Sequence, residues 1–273
     1  MGDVDPDLSE RRARRWWQRR APARTLARAA AFVDDVGFAL VFPTRVSTPL
    51  PSLYEASSDR PLQNEGVGLD WSPDAERVWG WKDELPRRGL AWYGRFLRGR
   101  PSLLSPAMLA DLYPRSGEPD DFRGAALDTD ARRIAETILL SGPTSTALLR
   151  EALDAYGSRG RARFDRALTQ LGRALVVTHL GVEEQDAGWP AAILELTTRA
   201  FEVTGPADPA EARLRAARRF LDTMIRARPY ELGNAFGWGA DGARQAFGAL
   251  VERGEAVRTG PAFRLGRPAD GRG

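Results

Sequence analysis

No cysteine occurs in the 273 residues, and there is one histidine, His179, and one lysine, Lys82. Without cysteine, disulfides, thiolate metal sites and thiol nucleophiles are excluded. A single histidine cannot build a histidine-rich metal centre. No uncharged apolar run approaches the roughly 20 residues that span a bilayer. The N-terminus passes from acidic residues into Arg11, Arg12, Arg14 and Arg15 without the apolar stretch of a signal peptide. Phosphate-binding loops, dinucleotide fingerprints and metal-ligand spacings are missing too, so no small-molecule cofactor and no metal are implied. These absences predict a soluble, cytoplasmic protein that does not engage a membrane.

What is present is a globular composition with 42% hydrophobic residues and a net charge of +3 carried almost wholly by arginine. A GC-rich genome would produce the same arginine bias, so its distribution says more than its total. Arginine is dense at 11–28, 159–173 and 213–228, and phosphate neutralisation needs such local clusters.

Helical periodicity predicts one or two helices over 8–36, broken near Pro22, with a short apolar strand or connector over 36–43. A Pro-, Ser- and Gly-rich loop follows over 44–73. Trp92, Tyr93 and Phe96 are spaced for a helix, a further helix is predicted over 105–112, and 114–121 reads as a linker. From there the pattern is more regular: helices over 129–141, 145–156 and 161–173, then the β-rich run 174–182. The order returns with helices over 209–226, 230–236 and 241–252 and short strands on either side of Thr259-Gly-Pro261. Three helices followed by a strand pair is winged-helix order, in which the third helix enters the major groove. Ile134, Ile138, Leu148, Leu149, Phe164, Leu168 and Leu171 fall at core spacing in one copy, and Phe220, Met224, Leu232, Phe247 and Leu250 in the next. The expected fold class is mainly α with small β wings (α+β), built as tandem winged-helix units over 1–125 (with a loop-rich insertion), 126–200 and 201–273.

The central unit, Arg133-Ile-Ala-Glu-Thr-Ile-Leu-Leu-Ser-Gly-Pro143 with Phe164 to Val177 and Gly181-Val182, resembles the winged-helix DNA glycosylase family of the AlkZ/YcaQ type. Trp79 to Pro86 is similar to that family's aromatic, acidic segment ending in Leu-Pro. The resemblance covers about 220 residues, and it implies a bacterial DNA-repair protein that acts on duplex DNA. Active members carry Gln-x-Asp or Gln-x-Gln in a short apolar segment. Aligning Gly37 and Pro43 with that segment puts Leu40 and Phe42 at the two polar positions. Neither side chain can position a water or stabilise charge on a sugar, so the resemblance implies a short member that lacks the motif and the C-terminal β-rich domain.

Candidate DNA contacts are Arg14 and Arg15 beside Trp16 and Trp17, then Arg163, Arg166, Gln170 and Arg173 on the central third helix, and Arg244 on the last. Thr169 and Gln245 share those outer faces. Each set also reads as a solvated face, and Trp16 or Trp17 as a core anchor. Asp83 and Glu84 are the candidate catalytic acids, with Lys82 as an amine nucleophile, although such a run also suits a helix start or a turn before Pro86. Asp34 and Asp35 read as helix-end residues and His179 as a surface or wing residue. The leading expectation is a catalytically diverged DNA-binding protein. The alternatives are an active glycosylase with relocated carboxylates, or a protein-interaction scaffold.

Overall fold

A computed structural model describes residues 6–44, 49–60, 62, 72–185 and 190–266. Helix α1 (Pro6–Arg15) precedes the first unit, which comprises α2 (Leu26–Val36), β1 (Phe38–Leu40), α3 (Leu53–Ser57), α4 (Pro73–Arg87), β2 (Trp92–Arg95) and β3 (Pro101–Leu104). Helix α5 (Pro106–Leu112) leads into the central unit, made of α6 (Thr129–Ser141), β4 (Thr144–Ser145), α7 (Thr146–Ala152), α8 (Gly157–Arg173), β5 (Val177–Glu183) and β6 (Ala191–Leu196). After α9 (Thr197–Ala200) the last unit runs through α10 (Pro209–Met224), α11 (Pro229–Phe236), α12 (Gly239–Glu252), β7 (Ala256–Thr259) and β8 (Ala262–Leu265). The helix starts follow local chemistry. Thr25, Ser52, Ser72, Ser105, Asp128, Ser145 and Asp208 each accept a hydrogen bond from a first-turn backbone N–H, satisfying donors that a helix cannot pair itself.

All three units are winged helices of one topology. Their sheets run β1-β3-β2 and β4-β6-β5, and the last unit replaces its first strand by a bridge between Ala227 and Phe263 beside the β7-β8 hairpin. The third helices are therefore α4, α8 and α12.

Two expectations are corrected here. Trp92, Tyr93 and Phe96 do not lie on a helix. Trp92 and Tyr93 lie on β2, facing opposite sides of the first sheet, and Phe96 follows it. Trp92 joins Phe38, Leu40 and Leu104 in a core shared with Phe220 and Phe236 of the last unit. Tyr93 joins Ala39, Val41 and Leu103 in the core of the first unit. Both faces are thus dry, which removes the polar alternation that would have marked a strand. Leu148 is 54% exposed and does not belong to the central core, whose α7 anchor is Leu149. The loop expected over 44–73 lies partly outside the described residues, and within it 53–57 is helical.

The first and central units dock reciprocally. The β2 strand and the turn after it pack against α8, while β5 packs against α4. Tyr93 N–H donates to Thr178 Oγ at 3.3 Å, and that hydroxyl donates to Tyr93 C=O at 3.0 Å. Two glycines permit the close approach: a β-carbon on Gly172 would stand 2.7 Å from Arg95 N, and one on Gly99 would stand 3.0 Å from Thr169 Cγ2.

Candidate functional site

Trp79, Lys82, Asp83 and Pro86 are spaced i, i+3, i+4, i+7 on α4, which places them on one face. That face meets β2 and β5. Lys82, whose side chain is only 5% exposed, donates to Asp83 Oδ2 at 2.6 Å. Its Nζ lies 4.2 Å from the Trp79 ring centroid and 5.7 Å from that of Tyr93, and Tyr93 meets His179 edge-on at 4.5 Å. Phe42 stacks on Trp79 at 6.3 Å and tilts against Tyr54 at 5.8 Å. One lysine–aspartate pair is thus enclosed by aromatic rings contributed by β2 and α4, with the wing of the central unit alongside.

The electrostatics follow from this enclosure. Burial raises the Asp83 carboxyl above its usual range, against the pull of Lys82. Burial, with the Lys82 and Arg95 charges, pushes His179 down to about 3, so the imidazole is neutral near pH 7. Burial also raises the Tyr93 phenol. Asp83 Oδ1 and His179 Nδ1 are buried without a hydrogen-bond partner among the described residues, and each such atom carries a desolvation cost unless something else engages it. Chemically, the group holds a spare carboxylate acceptor next to an amine. His179 lies on the wing strand as the sequence suggested, but it faces Tyr93 rather than solvent.

Glu84 is not part of this group. Its carboxylate accepts from Arg87 and, at 3.1 Å, from Arg88; those bonds, the Arg87 one foremost, hold it below the usual range. The two motif positions are separated as well. Leu40 is 2% exposed in the core shared with the last unit, whereas Phe42 sits in the aromatic stack.

On α8, Phe164, Ala167 and Leu171 face the central core. Asp165, Thr169 and Gly172 face the first unit, where Arg95 reaches Asp165 at 3.3 Å and Thr169 at 3.4 Å. The opposite flank is engaged by the N-terminal end of α6: Arg163 pairs with Asp130 at 2.9 Å, and Gln170 Oε1 accepts from Asp128 N–H at 3.0 Å. Between these flanks Arg159, Arg166 and Arg173 recur every seven residues, which aligns them in one exposed stripe. None of the three has an ion-pair partner among the described residues. Arg100, next to Gly99 on the turn after β2, is exposed as well, and Gly99 itself lies near Arg173.

The remaining candidate arginines are engaged elsewhere. Arg15, expected as a phosphate contact, bridges Asp35 at 3.0 Å and Asp222 at 2.7 Å with its side chain 17% exposed, so its guanidinium is held between two carboxylates. Arg14 pairs with Glu10, and Arg244 with Asp241, both at the surface. Trp16 donates to Thr223 C=O at 2.7 Å and Trp17 to Asp35 at 2.6 Å, so both tryptophans anchor the N-terminal helix, which docks on α10. Asp35 acts there as a helix-end acceptor, while Asp34 stays exposed.

Three comparisons bear on this arrangement. The family model described as AlkZ related matches residues 23–237. Among solved structures the chain is similar to a Streptomyces sahachiroi DNA glycosylase AlkZ, with a TM-score of 0.59 and 16% identity over 97% of this chain and 70% of that one. No curated protein matches. Among the described residues no helix is long and apolar enough to cross a membrane.

Proposed function

The chain belongs to the AlkZ-related family, and on that premise we propose that it binds duplex DNA in the cytoplasm while its base-excision chemistry has diverged. The observation that carries this reading is the α8 stripe: Arg159, Arg166 and Arg173 are exposed, aligned and, among the described residues, without an ion-pair partner on the third helix of a winged helix. A guanidinium without a carboxylate partner is free to grip phosphate, and the third helix is the element this topology presents to a groove. Divergence rests on Leu40 and Phe42, whose apolar side chains can neither orient water nor stabilise a developing cation. The name of the similar solved structure, a DNA glycosylase, accords with DNA as the partner.

A second reading, an active glycosylase with relocated carboxylates, draws on Asp83 Oδ1, which is buried and, among the described residues, unpartnered. Glu84 gives it no support. Binding of undamaged and alkylated duplexes at several salt concentrations, with base release scored in the same samples, separates the readings. Salt-sensitive binding without released base is the expected outcome. Base release abolished by Asp83→Ala would establish the glycosylase instead, and no binding even at low salt would leave an interaction scaffold.

A further inference from the structure

Of the 40 lysine and arginine residues only Lys82 is a lysine, and among the described residues it is the one lysine or arginine that is buried. In a chain that uses arginine everywhere else, the enclosed site holds the one cation that can give up a proton. A guanidinium stays protonated under all ordinary conditions, whereas an amine can become a nucleophile. The groups around it suit that step. Asp83 Oδ2 is 2.6 Å from Nζ, and its other oxygen has no hydrogen-bond partner among the described residues. Trp79, whose ring lies 4.2 Å from the amine, is 38% exposed, so the ring that covers the amine itself reaches the surface. Strand β2 links this site to the proposed DNA-binding helix. Tyr93 lies against Lys82, and two residues on, Arg95 lies against Asp165 and Thr169 of α8.

We propose that Lys82 condenses with the C1′ aldehyde of an abasic deoxyribose in bound DNA, capturing the lesion as an iminium. This rests on the DNA-binding reading above. Asp83 takes one proton from the ammonium, and the amine nitrogen then adds to the aldehyde carbon while a second of its protons passes to the carbonyl oxygen. The resulting carbinolamine loses its hydroxyl as water, with the proton returned by Asp83, and a C=N bond replaces C=O. No oxidant or reductant is consumed, and hydrolysis reverses the step.

The test uses the full chain and a duplex with one abasic site, with cyanoborohydride added to reduce any iminium to a stable secondary amine. A covalent protein–DNA adduct is expected, with mass-spectrometric mapping placing it on Lys82. Because the chain has no other lysine, the α-amino group of the first residue is the sole rival amine. Mapping on the unaltered protein does not depend on whether a variant folds, and folded Lys82→Arg should lose the adduct. An adduct on the terminal amine, or one undiminished in Lys82→Arg, overturns the proposal. A parallel duplex with tetrahydrofuran at the abasic position reports binding without an aldehyde. Binding there with no adduct on the aldehyde duplex overturns the lysine chemistry and leaves the DNA-binding reading intact, while no binding to either duplex removes both.

Discussion

Helices α8 and α12 hold the same place in two copies of one topology, yet their charge differs in sign. The first carries five arginines and one aspartate, and the second one arginine against an aspartate and a glutamate. Their surroundings differ as well. The first unit packs along α8, leaving the arginine stripe as its open strip, whereas α12 packs chiefly on α10, α11 and β7 of its own unit. A third helix in winged-helix order is therefore not by itself a DNA-reading helix. The side chains and neighbours decide, and here they favour the central unit.

Reversing the charge of the stripe should affect DNA binding most. Arg166→Glu with Arg173→Glu should weaken duplex binding on the order of a hundred-fold at moderate salt, and the corresponding alanine pair should reduce the slope of log affinity against log salt by about 2. A variant with unchanged affinity in a filter-binding or anisotropy titration would remove α8 from the interface. Next come two glycines given the same change. Gly172→Ala forces a β-carbon to within 2.7 Å of the Arg95 backbone and should cost about 1–3 kcal/mol in chemical denaturation. Gly248→Ala on α12 meets nothing within 4 Å and should stabilise by up to ~1 kcal/mol. Similar values for the two would mean that the reciprocal docking is loose.

His179 offers a smaller, pH-dependent contrast. In the folded chain it remains neutral down to about 3, whereas the unfolded chain takes up its proton near 6.5. Between those values the unfolded state binds the extra proton, so stability falls as pH drops, by at most about 1.4 kcal/mol per pH unit. His179→Gln should flatten thermal midpoints between pH 6.5 and 4, and parallel curves for the two proteins would show that this ring is not responsible. The smallest effect belongs to the last unit: Arg244→Ala should change DNA affinity less than about two-fold, since this exposed arginine is paired with Asp241. A loss matching that of Arg166 would restore α12 as a partner in binding.

The sequence made the central and last units legible because each has helices that bury one face, with Ile134, Phe164 and Leu171 or Phe220 and Phe247 at helical spacing. Strand β6 was harder to place, its partner β5 being interrupted by an irregularity between His179 and Gly181. The first unit was obscured because its sheet is buried on both sides, leaving Trp92 and Tyr93 equally compatible with a helix. On α8 the stripe can be drawn from spacing, but Thr169 reads as an outer-face residue because nothing local foretells that the turn at Gly99 covers it. Similarly, Lys82 and Asp83 could be singled out as chemistry-bearing neighbours. Their enclosure depends on Tyr93 and His179, which sequence separation kept out of view.

The doubly buried first sheet also sets an order of events during synthesis. Phe38, Leu40, Trp92 and Leu104 find their partners in Phe220 and Phe236, more than 100 residues later in the chain. At roughly 5–20 residues per second, this apolar face emerges from the ribosome several seconds to some tens of seconds before the helices that cover it. The nascent first unit is then a half-clad sheet, and chaperone engagement should be concentrated in that interval rather than spread over translation.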